Sequence, residues 1–240
     1  MIRNMSVVEN IKKELRKVAS PKKAKASAWF FKTGLGEYGY GDKFIGVTVP
    51  DQRKIAKQFS NIEYSDIKTL LDSEIHEERL TAIFILVTRF EKADTLERER
   101  IFNFYMLNIK RVNNWDLVDS SAHKIIGEFI KDKKITLLLD LAKSENLWKR
   151  RIAIISTFAF LSMGDSKPTY LVADLLLSDR EDLIQKAVGW VLREAGKKVS
   201  EQELKNYLKA NYKKMGRTAL RYSIEKFSPQ ARLEYLAATI

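Results

Sequence analysis

Hydrophobic and polar positions follow helical spacing along nearly the whole chain. Val7, Val8, Ile11, Leu15 and Val18 share one helical face, with Lys12, Lys13, Arg16 and Lys17 outside it. Only the segment from Phe44 to Val49 alternates in a way that suits a strand. Breakers are scarce. There are four prolines and ten glycines, five of the glycines lie between Gly34 and Gly46, and the remainder runs long between interruptions. Pro50, ahead of Asp51-Gln-Arg-Lys-Ile-Ala-Lys, suits the first position of a helix. Ser65 before Asp66 reads as an N-cap, and Ser228-Pro229 opens the last helix in the same way. The pattern predicts an all-α fold.

A weak internal repeat runs through these helices. Basic or polar residues lead into an apolar stripe built around an alanine in Glu78-Arg-Leu-Thr-Ala82, Arg150-Arg-Ile-Ala153, Ile184-Gln-Lys-Ala187 and Gly216-Arg-Thr-Ala219, and more loosely around Ala122. The intervals suit units of two helices, since helices average roughly 11–12 residues plus turns. Small residues at the recurring position let neighbouring helices approach closely. The expected architecture is a HEAT-like helical-repeat solenoid, an α-α superhelix with one concave basic face open to a partner. An irregular helical bundle is the alternative. With neither a low-complexity segment nor a linker, residues 1–240 read as one domain.

Composition narrows the function. At 45% hydrophobic and 31% charged residues, the 240-residue chain is globular. Apolar runs are short, Ile83 to Val87 being typical, so no membrane span is expected. Nor does the opening Met1-Ile-Arg-Asn-Met-Ser carry the apolar core of a signal peptide. The absence of cysteine excludes disulfides, thiolate nucleophiles and Cys-ligated metals. It suits a cytoplasmic protein, nucleoid-associated if bacterial. Two histidines, His76 and His123, argue against a His-rich metal site. A net charge of +12 with pI near 9.6 favours a polyanion, nucleic acid ahead of acidic lipid.

The motifs divide unevenly. Gly34-Leu-Gly36-Glu-Tyr-Gly39 matches the glycine spacing of a dinucleotide fingerprint, but the preceding Lys25 to Lys32 looks helical, so a flexible loop is the better reading. Its amides could still touch a backbone phosphate. Trp29, beside Phe30 and Phe31, is expected in the core. The other tryptophans each share a helix face with charge: Trp115 with Asp119, Trp148 with Arg151 (Lys149 and Arg150 lie between), and Trp190 with Lys186 and Arg193. On successive repeats these three strips would line one cleft. Basic residues there would hold phosphates, and indole faces would attract cations or stack on bases. A carboxylate such as Asp119 would stabilise positive charge developing on a sugar.

At these residues the chain resembles the AlkD-type DNA alkylation-repair glycosylases. The likeness lies in Asn114-Trp115-Asp116-Leu-Val-Asp119, Asn146-Leu-Trp148-Lys-Arg-Arg151 and Gln185-Lys-Ala-Val-Gly-Trp190-Val-Leu-Arg-Glu194, and covers roughly Lys32 to Arg221. The resemblance implies a HEAT-like solenoid that removes cationic 3-methyladenine and 7-methylguanine from double-stranded DNA in base excision repair, as a hydrolase needing no metal and no cofactor. It implies that Asp119 is the catalytic carboxylate, that Trp115 and Trp190 pack around the lesion nucleotide, and that Arg151 holds a nearby phosphate. Trp148 takes a supporting part. Lys149, Arg150, Lys186 and Arg193 complete the expected DNA-binding set. Phe30 stands where the family's lesion-side tyrosine would be, and Thr48-Val49 replaces the Gln-Thr expected before Pro50; both segments are expected to meet DNA. A non-catalytic binder of duplex or branched DNA on the same fold is the alternative, and a protein-interaction solenoid a third reading. Nothing argues for a dimer, so a monomer is expected, with no membrane partner.

Three further groups receive plain readings. His123 lies i,i+4 from Asp119 and reads as a local helix-surface pair rather than part of a Ser/His/Asp site with Ser120 or Ser121. Glu74, Glu77 and Glu78 read as a solvated face. Lys22, Lys23 and Lys25 form a charge run near a helix start that could touch DNA but reads first as solvated.

Overall fold

The computed structural model describes residues 6–239, so the reading of Met1 to Met5 lies outside the described residues. The described residues are mainly helical, with a long non-helical stretch between Phe30 and Val49. In chain order the helices are α1 (Val7–Lys17), α2 (Pro21–Phe30), α3 (Val49–Gln58), α4 (Tyr64–Leu71), α5 (His76–Lys92), α6 (Thr95–Leu107), α7 (Trp115–Ala122), α8 (Glu128–Ile130), α9 (Thr136–Ala142), α10 (Leu147–Ser156), α11 (Phe158–Leu161), α12 (Lys167–Leu176), α13 (Asp182–Lys198), α14 (Glu201–Asn211), α15 (Arg217–Ser223) and α16 (Pro229–Ala237). A 3-10 turn (Ile109–Arg111) precedes α7, and a π turn (His123–Gly127) joins α7 to α8. Bridge-type pairing among the described residues is the isolated contact of Lys43 with Ile75. The chain divides into two compact units, Met1–Ser121 and Ala122–Ile240.

In the first unit, α1 packs on α3, α4 and α5 through Val8, Ile11 and Leu15 of the predicted face, while Val7 is half-buried and Val18, just past the helix end, is exposed. Ser6 and Glu9 close a capping box at its start. Pro50 is the second helical residue of α3, one later than expected, because Val49 already lies in the helix and Thr48 is the N-cap. Likewise α4 starts at Tyr64 with Glu63 as N-cap, so Ser65 falls inside the first turn.

The segment from Phe44 to Thr48 is non-helical and forms no strand. Its amides turn to a side chain: the Glu77 carboxylate accepts from Ile45 N (3.1 Å), Gly46 N (2.7 Å) and Val47 N (3.3 Å). Glu77 and Glu78 are therefore buried at the start of α5, where the helix dipole favours carboxylates, and the expected solvated face is confined to Glu74. Glu78 meets Lys12 (2.9 Å), Arg16 and Ser73. Gly46 permits this crossing. Its φ is +79°, and a Cβ there would lie 2.1 Å from Ser20 O.

In the second unit, α10 packs on α9, α12 and α13, and α13 packs on α12, α14 and α15. The recurring alanines Ala122, Ala153, Ala187 and Ala219 are fully buried, as is Ala82 in the first unit. On α13, Gly189 lets α15 approach so closely that a Cβ would lie 2.5 Å from Ala219 O. Gln185, one turn earlier, donates to Leu177 O (3.1 Å) and Asp179 O (2.7 Å), satisfying carbonyls at the end of α12. Ser228 caps α16 as predicted.

Candidate functional site

The best-defined polar constellation lies in the first unit, where α2, its following loop, α5 and α7 meet. Asn114 starts α7: its Oδ1 accepts from Trp115 N (2.8 Å) and its Nδ2 donates to Asp42 (3.0 Å). Asp42, in the glycine-rich loop, also takes the Arg79 guanidinium (2.6 Å) and His76 Nδ1 (3.0 Å). The other ring nitrogen, His76 Nε2, lies 2.8 Å from Asp116. His76 is thus an imidazole clamped between two carboxylates from distant parts of the chain. Burial pushes its pKa down, but the charge of Asp116 and hydrogen bonds to Asp116 and Asp42 outweigh it, raising the pKa to about 9 against the smaller opposing effect of Arg79. At Asp42 burial acts upward, and the His76 hydrogen bond with the Arg79 and His76 charges brings the carboxyl below its ordinary range.

Aromatic rings build on this base. His76 stacks on Phe44 (4.7 Å between centroids) and lies 4.9 Å from Phe31. Phe31 in turn lies parallel to Trp115, at 5.1 Å and 10° between planes. Phe30 meets the same indole edge-on, at 5.9 Å and 77°. Trp115 and Phe30 therefore form a two-walled aromatic corner, with Phe30 57% exposed. Asp119 follows Trp115 by four residues on α7 and so shares its face. Its charge reaches Tyr105, whose phenol is pushed up first by burial and further by Asp119. Tyr105 is tied to Ser121 (2.9 Å), and Ser121 donates to Leu117 O, which takes this serine out of any nucleophilic role.

A cavity of about 300 Å³ opens beside the rings, lined by Phe31, Phe44, Thr48, Gln52, His76 and Asp116 among others. Thr48 is occupied as the α3 cap, accepting from Asp51 N and donating to Asp51 Oδ2 (2.5 Å). The glycine motif is a loop of turns, as expected. Among the described residues no group of three or more His, Asp or Glu side chains is arranged to hold a metal, and no helix is long and apolar enough to cross a membrane.

The second unit carries the remaining predicted residues, in unequal settings. Asn146 caps α10, accepting from Trp148 N (2.9 Å) and Lys149 N (3.1 Å). Trp148 is buried at 9% exposure, whereas Trp190 is half-buried against Phe158 (4.9 Å). Arg151 is buried and donates to Leu183 O. Arg150 is committed to Asp179 (2.6 Å) and to the carbonyls of Ser144 and Glu145. Arg193 pairs with Glu194 and Glu225, and Lys186 lies 2.7 Å from Asp182. His123 falls in the π turn with its ring edge-on to Phe158.

Trp29 departs from expectation. It is 84% exposed, and of the Trp29-Phe30-Phe31 run only Phe31 turns inward. Sequence reasoning also missed Asp42, His76 and Phe44. Asp116 was in view inside the Trp-Asp-x-x-Asp motif, but its partner is contributed 40 residues away, and no local spacing announces such a pair.

The model of the family described as DNA alkylation repair enzyme matches residues 11–227. No protein of curated function matches the sequence. Among solved structures, a predicted DNA alkylation repair enzyme from Enterococcus faecalis is similar at a TM-score of 0.67 with 18% identity, covering 88% of this chain and 97% of that one. AlkD2 from Streptococcus mutans is similar at 0.55 with 19% identity, covering 92% and 97%. These likenesses establish the all-α, AlkD-like helical-repeat fold. The family match spans nearly the whole helical array and includes both the Trp115–Asp119 helix and the Trp190 helix: this chain belongs to the DNA alkylation repair enzyme family.

Proposed function

We propose that the protein is a DNA glycosylase that hydrolyses the N-glycosidic bond of cationic alkylated purines, 3-methyladenine and 7-methylguanine, in duplex DNA. The observation that carries this reading is the aromatic corner of Trp115 and Phe30, with a carboxylate on the same face of α7. Ring faces at this corner attract a cationic base or the sugar beside it. As the glycosidic bond breaks, its electron pair neutralises the base, and positive charge passes to the sugar. A carboxylate there stabilises the sugar cation and orients water, whose oxygen bonds to the anomeric carbon while its proton leaves to solvent or to Asp119. The leaving base already carries the charge, so no strong general acid is needed. In this reading Trp190 and Arg151 act on the lesion nucleotide and its phosphate, with Lys149 and Lys186, the latter in an exposed pair with Asp182 that a phosphate can replace, adding salt-dependent affinity. Arg150 and Arg193, held by carboxylates, contribute mainly to the background field.

The test is release of free base from methylated duplex DNA by wild type and Asp119→Asn, with binding measured on the same duplexes. Wild type should release base in the presence of a metal chelator. Asp119→Asn should bind within a few-fold of wild type and release base about 10²–10³-fold more slowly, the usual loss of one transition-state electrostatic contact. Release at the wild-type rate by Asp119→Asn would remove Asp119 from the mechanism. Salt-sensitive binding without release would leave a non-catalytic DNA binder, a reading favoured by Phe30, which brings no hydroxyl to the corner.

A further inference from the structure

Helix α2 is built inside out. Its sequence, Pro21-Lys-Lys-Ala-Lys-Ala-Ser-Ala-Trp-Phe30, contains three lysines and no acidic residue, and none of its side chains is buried. At 100° per residue, Lys22, Lys25, Ala26, Trp29 and Phe30 fall on one continuous arc with Lys23 at its edge, and all six are exposed. The opposite arc holds the half-buried Ala24, Ser27 and Ala28, and the helix lies close enough to the loop that a Cβ on Gly46 would meet Ala24 N at 2.5 Å. Small residues attach the helix and large ones leave it. A helix of ten residues is marginal by itself in water, so its position is fixed by this attachment and by its Ser20 cap.

Trp29, at 84% exposure, lies on the outward arc flanked by Lys25 on one side and Lys22 on the other, with Phe30 farther along beyond Ala26. An exposed apolar patch rimmed by one sign of charge marks an interaction surface. The lysines select a polyanion, and an indole among them selects a polyanion that carries flat rings. We propose that the outer face of α2 is a second DNA contact, in which Lys22 and Lys25 hold phosphates and Trp29 stacks on a base that has lost its partner. Phe30 joins this face to the corner at Trp115, so the contact lies next to the candidate lesion site. The proposal rests on the DNA-repair reading for its partner. It adds a preference for duplexes with an unstacked base, such as the one opposite an excised purine.

The experiment compares wild type, Trp29→Ala, Trp29→Phe and Lys22→Ala/Lys25→Ala on two duplexes, one intact and one with a single abasic site. Trp29 is exposed, so its truncation leaves the core untouched, and circular dichroism checks this. Trp29→Ala should lose about tenfold in affinity for the abasic duplex, within the range for one base–aromatic stack, and less than twofold for the intact one. Trp29→Phe should recover most of the loss. Tryptophan emission of wild type should be quenched by the abasic duplex, and this quenching should shrink in Trp29→Ala. Each lysine removed should lower the slope of log affinity against log salt by about 0.9. Equal affinities of wild type and Trp29→Ala for the abasic duplex would overturn the proposal while leaving the glycosylase reading intact. Failure of wild type to bind either duplex would overturn both. Self-association of wild type that disappears in Trp29→Ala would assign the face to a second copy of the chain and overturn the DNA contact.

Discussion

The two units bury different things. Around the start of α5, the first unit encloses His76, Glu77, Glu78, Arg79 and the partner Asp116; in the second unit, among the described positions, Arg151 is the charged residue buried to this degree, alongside Ser156, Thr157, Ser166, Thr169, Gln185 and Ser223 and the phenols of Tyr212 and Tyr235. The contrast follows from the backbone. Between α2 and α3 the first unit carries a long loop whose amides beyond Thr33 lie outside the helical ladder, and a buried amide left unmet is costly. Glu77 accepts three of those amides and Asp42 brings the loop to Arg79, His76 and Asn114. The second unit stacks helix on helix, where backbone groups are already paired, and close approach is met by glycine and alanine. Buried charge thus goes with irregular backbone, and small residues go with stacked helices. The aromatic corner at Trp115 stands on the irregular, charged side.

The strongest way to break this contrast is at His76. His76→Ala leaves the buried Asp116 without its cation and Asp42 with Arg79 alone. It should cost about 3–5 kcal/mol of stability in urea unfolding, the range for removing one member of a buried ion pair. It should also disorder Trp115 through Phe31. A loss below about 1 kcal/mol would show that the network adds little to the first unit.

The same residue sets a pH signature. Its folded pKa of about 9 lies above the ordinary histidine value. Its stabilising charge is therefore fully present below about pH 6.5 and is lost as pH rises through 9. Asp42, with a lowered pKa, acts in the opposite direction and only at the acid end. Thermal melts of wild type should fall in Tm from pH 6.5 to 9.5, and those of His76→Gln should fall less. Parallel curves would remove His76 as the cause.

On the stacked-helix side, Gly189→Ala places a methyl 2.5 Å from Ala219 O and should cost about 1–3 kcal/mol. Its pH dependence should match wild type. Smallest is Thr48→Ala, which removes the α3 cap for about 1 kcal/mol. If it also weakens DNA binding more than this destabilisation explains, Thr48 meets DNA as well as capping.

Much of the fold was legible before the structure. Val8, Ile11 and Leu15 of α1, the alanines of the repeat and the Ser228 cap lie where spacing places them, because helical periodicity and capping are local. The departures arose where a residue's setting depends on a distant part of the chain. Ser65 and Pro50 missed by one or two positions, since helix starts depend on the chain arriving from elsewhere. Glu77 looked solvated because its carboxylate sits on a helix start like many surface acids. Its partners, Ile45 to Val47, belong to a loop some 30 residues earlier. Trp29 looked buried because three aromatics in a row usually are.

By itself, then, the sequence determined an all-helical chain, its recurring small residues, its basic charge and the Trp115–Asp119 spacing, all of which follow from residues within a few turns of one another. Tertiary structure alone decided that His76 lies between Asp42 and Asp116, that Phe31 rather than Trp29 supports Trp115, and that α2 turns its indole to solvent. Those outcomes depend on which distant segments pack together, and burial there changes what a carboxylate, an imidazole or an indole contributes.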